Sequence, residues 1–117
     1  MKRNALLFTL IATSALLSSA AMAADPIEDT WKRPEGTLIQ YASAGGDTYC
    51  GTVLTGEYAN QSIGCLTGSN GTYQGSVNKL DEGKTYTGKA TVTGNILKLS
   101  GCVLGGIICK SENLTRQ

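Results

Sequence analysis

The chain has 117 residues, a formal net charge of +1, 16% charged residues, fifteen glycines, four cysteines and no histidine. Without histidine there is no ordinary catalytic triad, no imidazole metal ligand and no neutral-pH proton shuttle. So even a balance of charge gives no electrostatic reason to expect nucleic acid or an anionic membrane as partner.

At the N-terminus, Lys2 and Arg3 precede an apolar run over residues 5–17, and Ala21-Met22-Ala23 has the small-x-small form of a secretory cleavage site. The run is shorter than the roughly 20 apolar residues that span a bilayer. Residues 1–23 therefore read as a Sec-type signal peptide, and the mature chain as periplasmic or secreted with no stable membrane insertion. The residue directly after the cleavage site is Ala24 and not a cysteine, which argues against a lipid anchor. Removal of this segment takes both methionines and the only phenylalanine, so the core must be built from Trp31, five tyrosines and aliphatic residues. It leaves eight basic residues against nine acidic ones.

Residues 24–36 read as a short lead-in, and residues 37–117 as one domain. Within that domain, period-2 alternation between turn signals predicts strands over 37–43, 49–55, 61–66, 72–79, 84–92, 96–103 and 107–115. Three of them carry one repeat, a tyrosine, a glycine and a small aliphatic at alternate positions: Tyr49-Gly51-Val53, Tyr73-Gly75-Val77 and Tyr86-Gly88-Ala90. In an extended strand these share one face, opposite a wet face such as Thr85, Thr87, Lys89 and Thr91. A glycine beside a large ring suits a small closed sheet whose interior tapers. The expectation is an all-β, antiparallel, up-and-down barrel.

Four cysteines beyond a signal peptide imply two disulfides, with three connectivities open. Cys102 and Cys109 lie symmetrically about Gly105-Gly106, and Cys50 and Cys65 about Glu57-Tyr58. Hairpins centred there favour Cys50–Cys65 and Cys102–Cys109. Strand parity puts Cys50 and Cys102 opposite the tyrosine face, so the bridges should clamp the outside. No C-x-x-C occurs, so neither a zinc site nor another cofactor is expected. Asp47 and Asp81-Glu82 sit in turn signals, where acidic residues solvate and cap. No catalytic residue is assigned.

The stretch GKTYTGKATVTGNILKLSGCVLGGIICKSENLTR, residues 83–116, resembles the bacterial family called domain of unknown function 2147. The likeness rests on the GKTY at Gly83–Tyr86, the Leu97–Leu99 strand, Gly101–Gly106 and the closing Thr115-Arg116, with Cys50-Gly51-Thr52-Val53 upstream. Departures are Asp29 two residues before Trp31, Asn113-Leu114 before the final Thr-Arg, no cysteine shortly before Cys50, and a shortened middle. The family is similar to lipocalin-like, or calycin, barrels, in which a tryptophan near the first strand is covered by an arginine from the last. That resemblance implies a structural closure by Trp31 and Arg116.

It also implies a binding role without catalysis. A small apolar or amphipathic ligand would meet Tyr41, Tyr49, Tyr73 and Tyr86, unless those rings fill the interior, the ordinary outcome in small barrels. Alternatively the chain is an interaction module or inhibitor of an envelope protein, acting through residues 56–60 and 68–71 with Tyr58 at a hairpin tip as anchor. Oligomeric state is not legible.

Overall fold

Alternating burial along eight extended stretches defines the architecture. The computed structural model describes residues 24–117; the segment read as a signal peptide lies outside them. The strands are β1 Thr30–Lys32, β2 Leu38–Gly45, β3 Thr48–Val53, β4 Ser62–Ser69, β5 Thr72–Lys79, β6 Lys84–Thr93, β7 Ile96–Val103 and β8 Ile108–Arg116. Each pairs antiparallel with its chain neighbour, and β1 pairs with β8 to close an up-and-down barrel. The lipocalin-like, disulfide-stapled barrel read from the sequence is the observed fold class.

Two assignments need correction. The segment taken as a lead-in contains β1, a barrel strand. Three residues are too few to register a period-2 pattern, and only pairing on both sides, Trp31↔Ile39 with β2 and Trp31↔Arg116 with β8, makes them a strand. Of residues 68–71, expected to form an interaction loop, Gly68 and Ser69 belong to β4 and only Asn70 and Gly71 form a turn. Asn70 and Gly71 both adopt positive φ (55° and 96°), the backbone of a two-residue hairpin turn that suits the twist of its strands. β4 therefore runs through Ser69, which pairs with Thr72.

The repeats interlock. Tyr73↔Ala90, Gly75↔Gly88 and Val77↔Tyr86 pair the second copy with the third in reverse. Gly88 in turn pairs with Gly101, giving a row of three glycines across β5, β6 and β7. The bare backbone is used for close approach: a Cβ on Gly75 would collide with the Cys65 carbonyl oxygen. In the first copy the Tyr41 ring lies across Gly51, where a Cβ would stand 2.9 Å from ring carbons and 2.6 Å from Ile63 Cγ1.

One end of the barrel is solidly packed. Trp31 is 0% exposed and clusters with Ile27, Leu97 and Leu114, and its indole N–H donates to the Ile27 carbonyl (3.0 Å). Arg116 covers the ring, its guanidinium carbon 4.4 Å from the centroid. The same guanidinium donates to the Pro26 and Gly94 carbonyls (3.2 and 3.0 Å) and pairs with Asp29 (2.9 Å). The Arg116 hydrogen bond, aided by the Thr30 backbone N–H, lowers the Asp29 pKa. A cation over an indole contributes about 0.5–2 kcal/mol, and here it ties the two ends of the described chain together.

Both disulfides form as paired by symmetry, Cys50–Cys65 between β3 and β4 and Cys102–Cys109 between β7 and β8. They occupy the outward face, but Cys102 is only 2% exposed. The β7–β8 turn bends back toward β6, where Lys89 Nζ meets the Gly106 carbonyl at 3.2 Å, so the Cys102 half of this bridge is shielded while Cys109 stays exposed.

The glycine row generates a paired test. Gly75→Ala must displace backbone and is expected to cost about 2–4 kcal/mol in urea unfolding. Gly101→Ala, whose added methyl would meet only Tyr86 Cβ at an ordinary 3.5 Å, is expected to stay within about 0.5 kcal/mol of the parent.

Candidate functional site

Opposite the packed end the interior is open. A cavity of about 690 Å³ occupies the mouth, with Ile39, Val53, Ile63, Val77 and Leu99 as its apolar walls. The regular β4–β5 ladder ends at Leu66↔Gly75. Beyond that pair the strands stay in contact without ladder pairing: Gly64 lies against the Ser76 carbonyl, and Asn78 Nδ2 donates to the Ser62 carbonyl (3.2 Å). A bulge between the Gly51↔Gly64 and Thr52↔Ser62 pairs leaves Ile63 as the extra residue on β4, buried and facing the cavity.

Charged residues ring the opening. From β8 the inward parity that buries Leu114 places Glu112 and then Lys110 progressively nearer the mouth. Glu112 is bound by Arg33, which follows β1: Nη2 donates to Oε2 at 3.1 Å, and Nε lies 2.8 Å from Oε1, close but off the hydrogen-bond direction. Glu35 approaches the same Nε at 3.5 Å. Burial works against the Arg33 charge, but the hydrogen bond and attraction of Glu112, with Glu35 and Asp81 adding, raise its pKa on balance. Across the mouth, Lys79 Nζ meets Glu82 at 2.8 Å and Asp81 at 3.4 Å. Its pKa rises chiefly through the Glu82 hydrogen bond. Glu82 also accepts from the Tyr86 hydroxyl (2.8 Å); Lys79 and then Tyr86 lower its pKa.

The four tyrosines read as ligand-lining separate into two groups. Tyr86 lines the cavity. Tyr41, Tyr49 and Tyr73 belong to the buried core, and the latter two stack edge to face with centroids 5.8 Å apart. The interior is thus filled at one end and hollow at the other, so three of the rings pack and one faces the space. Tyr73 donates a short hydrogen bond to Asp25 and accepts one from Gly71 N–H (3.1 Å). Burial, with the Asp25 hydrogen bond second, pushes its pKa up to about 12. Tyr41 is 2% exposed and its hydroxyl has no hydrogen-bond partner. Burial raises its pKa, with the charge of Glu112 adding to the rise and that of Arg33 opposing it.

Tyr58, expected as an exposed anchor at a hairpin tip, instead lines the cavity and packs partly buried against the core. The cause is local: Asn60 takes φ 71°, its N–H bonds the Val53 carbonyl (2.7 Å), and Gln61 N–H bonds the Tyr58 carbonyl (3.1 Å). These bonds fold residues 54–61 back over the mouth. The exposed apolar tip lies elsewhere, in the β7–β8 turn, where Leu104 and Ile107 are 69% and 83% exposed.

Sequence reasoning missed Arg33, Glu112 and the Lys79 cluster. Continuing the inward parity of Leu114 back along β8 reaches Glu112, so that residue had a readable signal; its partner Arg33 did not, because β1 had not been recognised. Among the described residues no group of His, Cys, Asp and Glu side chains has the arrangement of a metal site.

Residues 60–116 match the model of a bacterial family described as uncharacterized protein conserved in bacteria, DUF2147. The likeness read from the Gly83–Arg116 motifs is therefore found, extending upstream to Asn60 and taking in β4 to β8. No curated protein and no solved structure matches the chain.

The buried phenols give a pH prediction. Because the folded pKa of Tyr73 lies above the unfolded value of about 10, its contribution to stability is intact below pH 10 and is lost as pH rises through about 12. Urea midpoints are expected to fall over that window, and Tyr73→Phe to make the fall shallower. An identical fall in the variant would refute the assignment.

Proposed function

We propose that this bacterial-family barrel is an exported, non-enzymatic binding protein that carries a small apolar or amphipathic molecule in the cavity at its mouth. The observation that supports this best is the coexistence of a closely packed floor with a cavity of about 690 Å³. That volume lies within the range of small-molecule pockets, about 300–1,000 Å³. A floor closed by Trp31 and Arg116 over Ile27, Leu97 and Leu114, none of which lines the cavity, supports the barrel at the end opposite the open mouth.

Export is supported by the signal-like residues 1–23 and by two disulfides, which persist in oxidising compartments such as the periplasm or outside the cell. A soluble rather than membrane-embedded barrel is supported by its outward face. Thr72, Gln74, Thr85, Thr87 and Lys89 point away from the core, where a membrane barrel needs an apolar band. A second reading, an inhibitor or interaction module for an envelope protein, is supported by the exposed Leu104 and Ile107, since apolar tips are the side chains partners bury.

The test is titration of the neutral fluorescent probe N-phenyl-1-naphthylamine into parent and Val77→Trp, which fills the cavity. Binding is expected in the parent and at least about tenfold weaker in the variant, a loss of about 1.4 kcal/mol. Circular dichroism and melting are expected to show the variant folded. No binding to the parent, or equal binding to both, would sink the cavity reading and leave the hairpin as the working surface.

A further inference from the structure

We infer that the cavity selects amphiphiles with a cationic head, an amine or quaternary ammonium, over those with a carboxylate or phosphate head. This rests on the cavity-binding reading and adds the chemistry of the ligand. The argument begins with how charge is shared at the mouth. Arg33 faces two carboxylates, Glu112 and Glu35. Lys79 likewise faces two, Asp81 and Glu82. Among the residues that line the cavity, each cluster therefore sets one cation against two anions; Lys84, paired with Lys79 across the β5–β6 hairpin but outside the lining, also acts on Glu82. Glu57 adds a further carboxylate and Lys110 offsets it.

The excess is local. Of the nine acidic residues in the chain, five lie around this opening, with only three of the eight basic residues of the described chain. The mouth is net −2, whereas the remaining surface of the described residues is net +1. Low-dielectric walls beneath the ring strengthen such a field over what it would be in water.

The space between the charges is also suited to a cation. Two aromatic rings, Tyr58 and Tyr86, stand at the mouth among the carboxylates, and ring faces combined with negative charge recognise ammonium groups. Arg33 and Lys79 each already have two carboxylate partners, so among the lining cations only Lys110 is open to an anionic head without displacing a carboxylate. Below, the apolar walls of Ile39, Val53, Ile63, Val77 and Leu99 accept an alkyl chain.

The experiment displaces N-phenyl-1-naphthylamine with three dodecyl amphiphiles below their micelle concentrations: dodecyltrimethylammonium, dodecyldimethylamine oxide and dodecanoate, near neutral pH. Dodecyltrimethylammonium is expected to bind about tenfold or more tightly than dodecanoate, with the neutral-overall amine oxide between. Raising salt to about 0.5 M should narrow the gap. In Glu57→Gln/Asp81→Asn the gap should shrink about threefold or more, while affinity for the neutral probe stays unchanged. Dodecanoate binding as tightly as the ammonium, with probe and amine oxide both bound, overturns this inference alone. Failure of the probe and of all three amphiphiles to bind the parent removes the cavity reading and this inference with it.

Discussion

Closure of the barrel by a three-residue strand is the constraint on which the remaining features rest. β1 meets β8 through only two residue pairs, too few to hold a seam by backbone hydrogen bonds alone. The seam is reinforced by side chains: Arg116 over Trp31, Asp29 and two carbonyls on Arg116, and the indole N–H on Ile27. Two residues beyond Trp31 stands Arg33, and two turns of alternation before Arg116 stands Glu112. Closing the barrel at its floor thereby brings together the ion pair at its mouth.

The same chain solves two opposed packing problems along one axis. At the floor, large rings and leucines fill the interior. Higher up, the Gly75, Gly88 and Gly101 row removes side chains altogether, so that backbone and neighbouring side chains approach closely on one wall. Above it the regular β4–β5 ladder stops and the interior becomes a cavity. A small barrel with side chains of uniform size would be filled throughout. Here the taper from rings to glycines to short aliphatics leaves room at one end only.

The mouth joins apolar wall to acidic ring, an arrangement with a cost that the pairings offset. Carboxylates gathered around one opening repel each other, and the two cations lodged among them hold the clusters together without neutralising them. The disulfides sit on the outer face, away from this surface, where Cys102–Cys109 anchors the hairpin whose apolar tip borders the mouth through Val103 and Ile108.

Alternation, glycine position and cysteine symmetry were enough to determine the fold class, seven of the eight strands and both disulfides, because each is a local or near-local property. A period-2 pattern states which residues face inward, and a hairpin centre states which cysteines are opposite. The Tyr-Gly-aliphatic repeat likewise announced an interior with rings and gaps. It could not say which rings would pack and which would line a space, since Tyr49, Tyr73 and Tyr86 share the same local pattern yet only Tyr86 lines the cavity. Tyr58 turned inward through two backbone hydrogen bonds in its loop, and Arg33 met Glu112 across 79 residues of chain. Those outcomes belong to the tertiary structure alone: height along the axis, the point at which a ladder ends and pairing at the closing seam are set by the register of the whole closed sheet, which no single strand encodes.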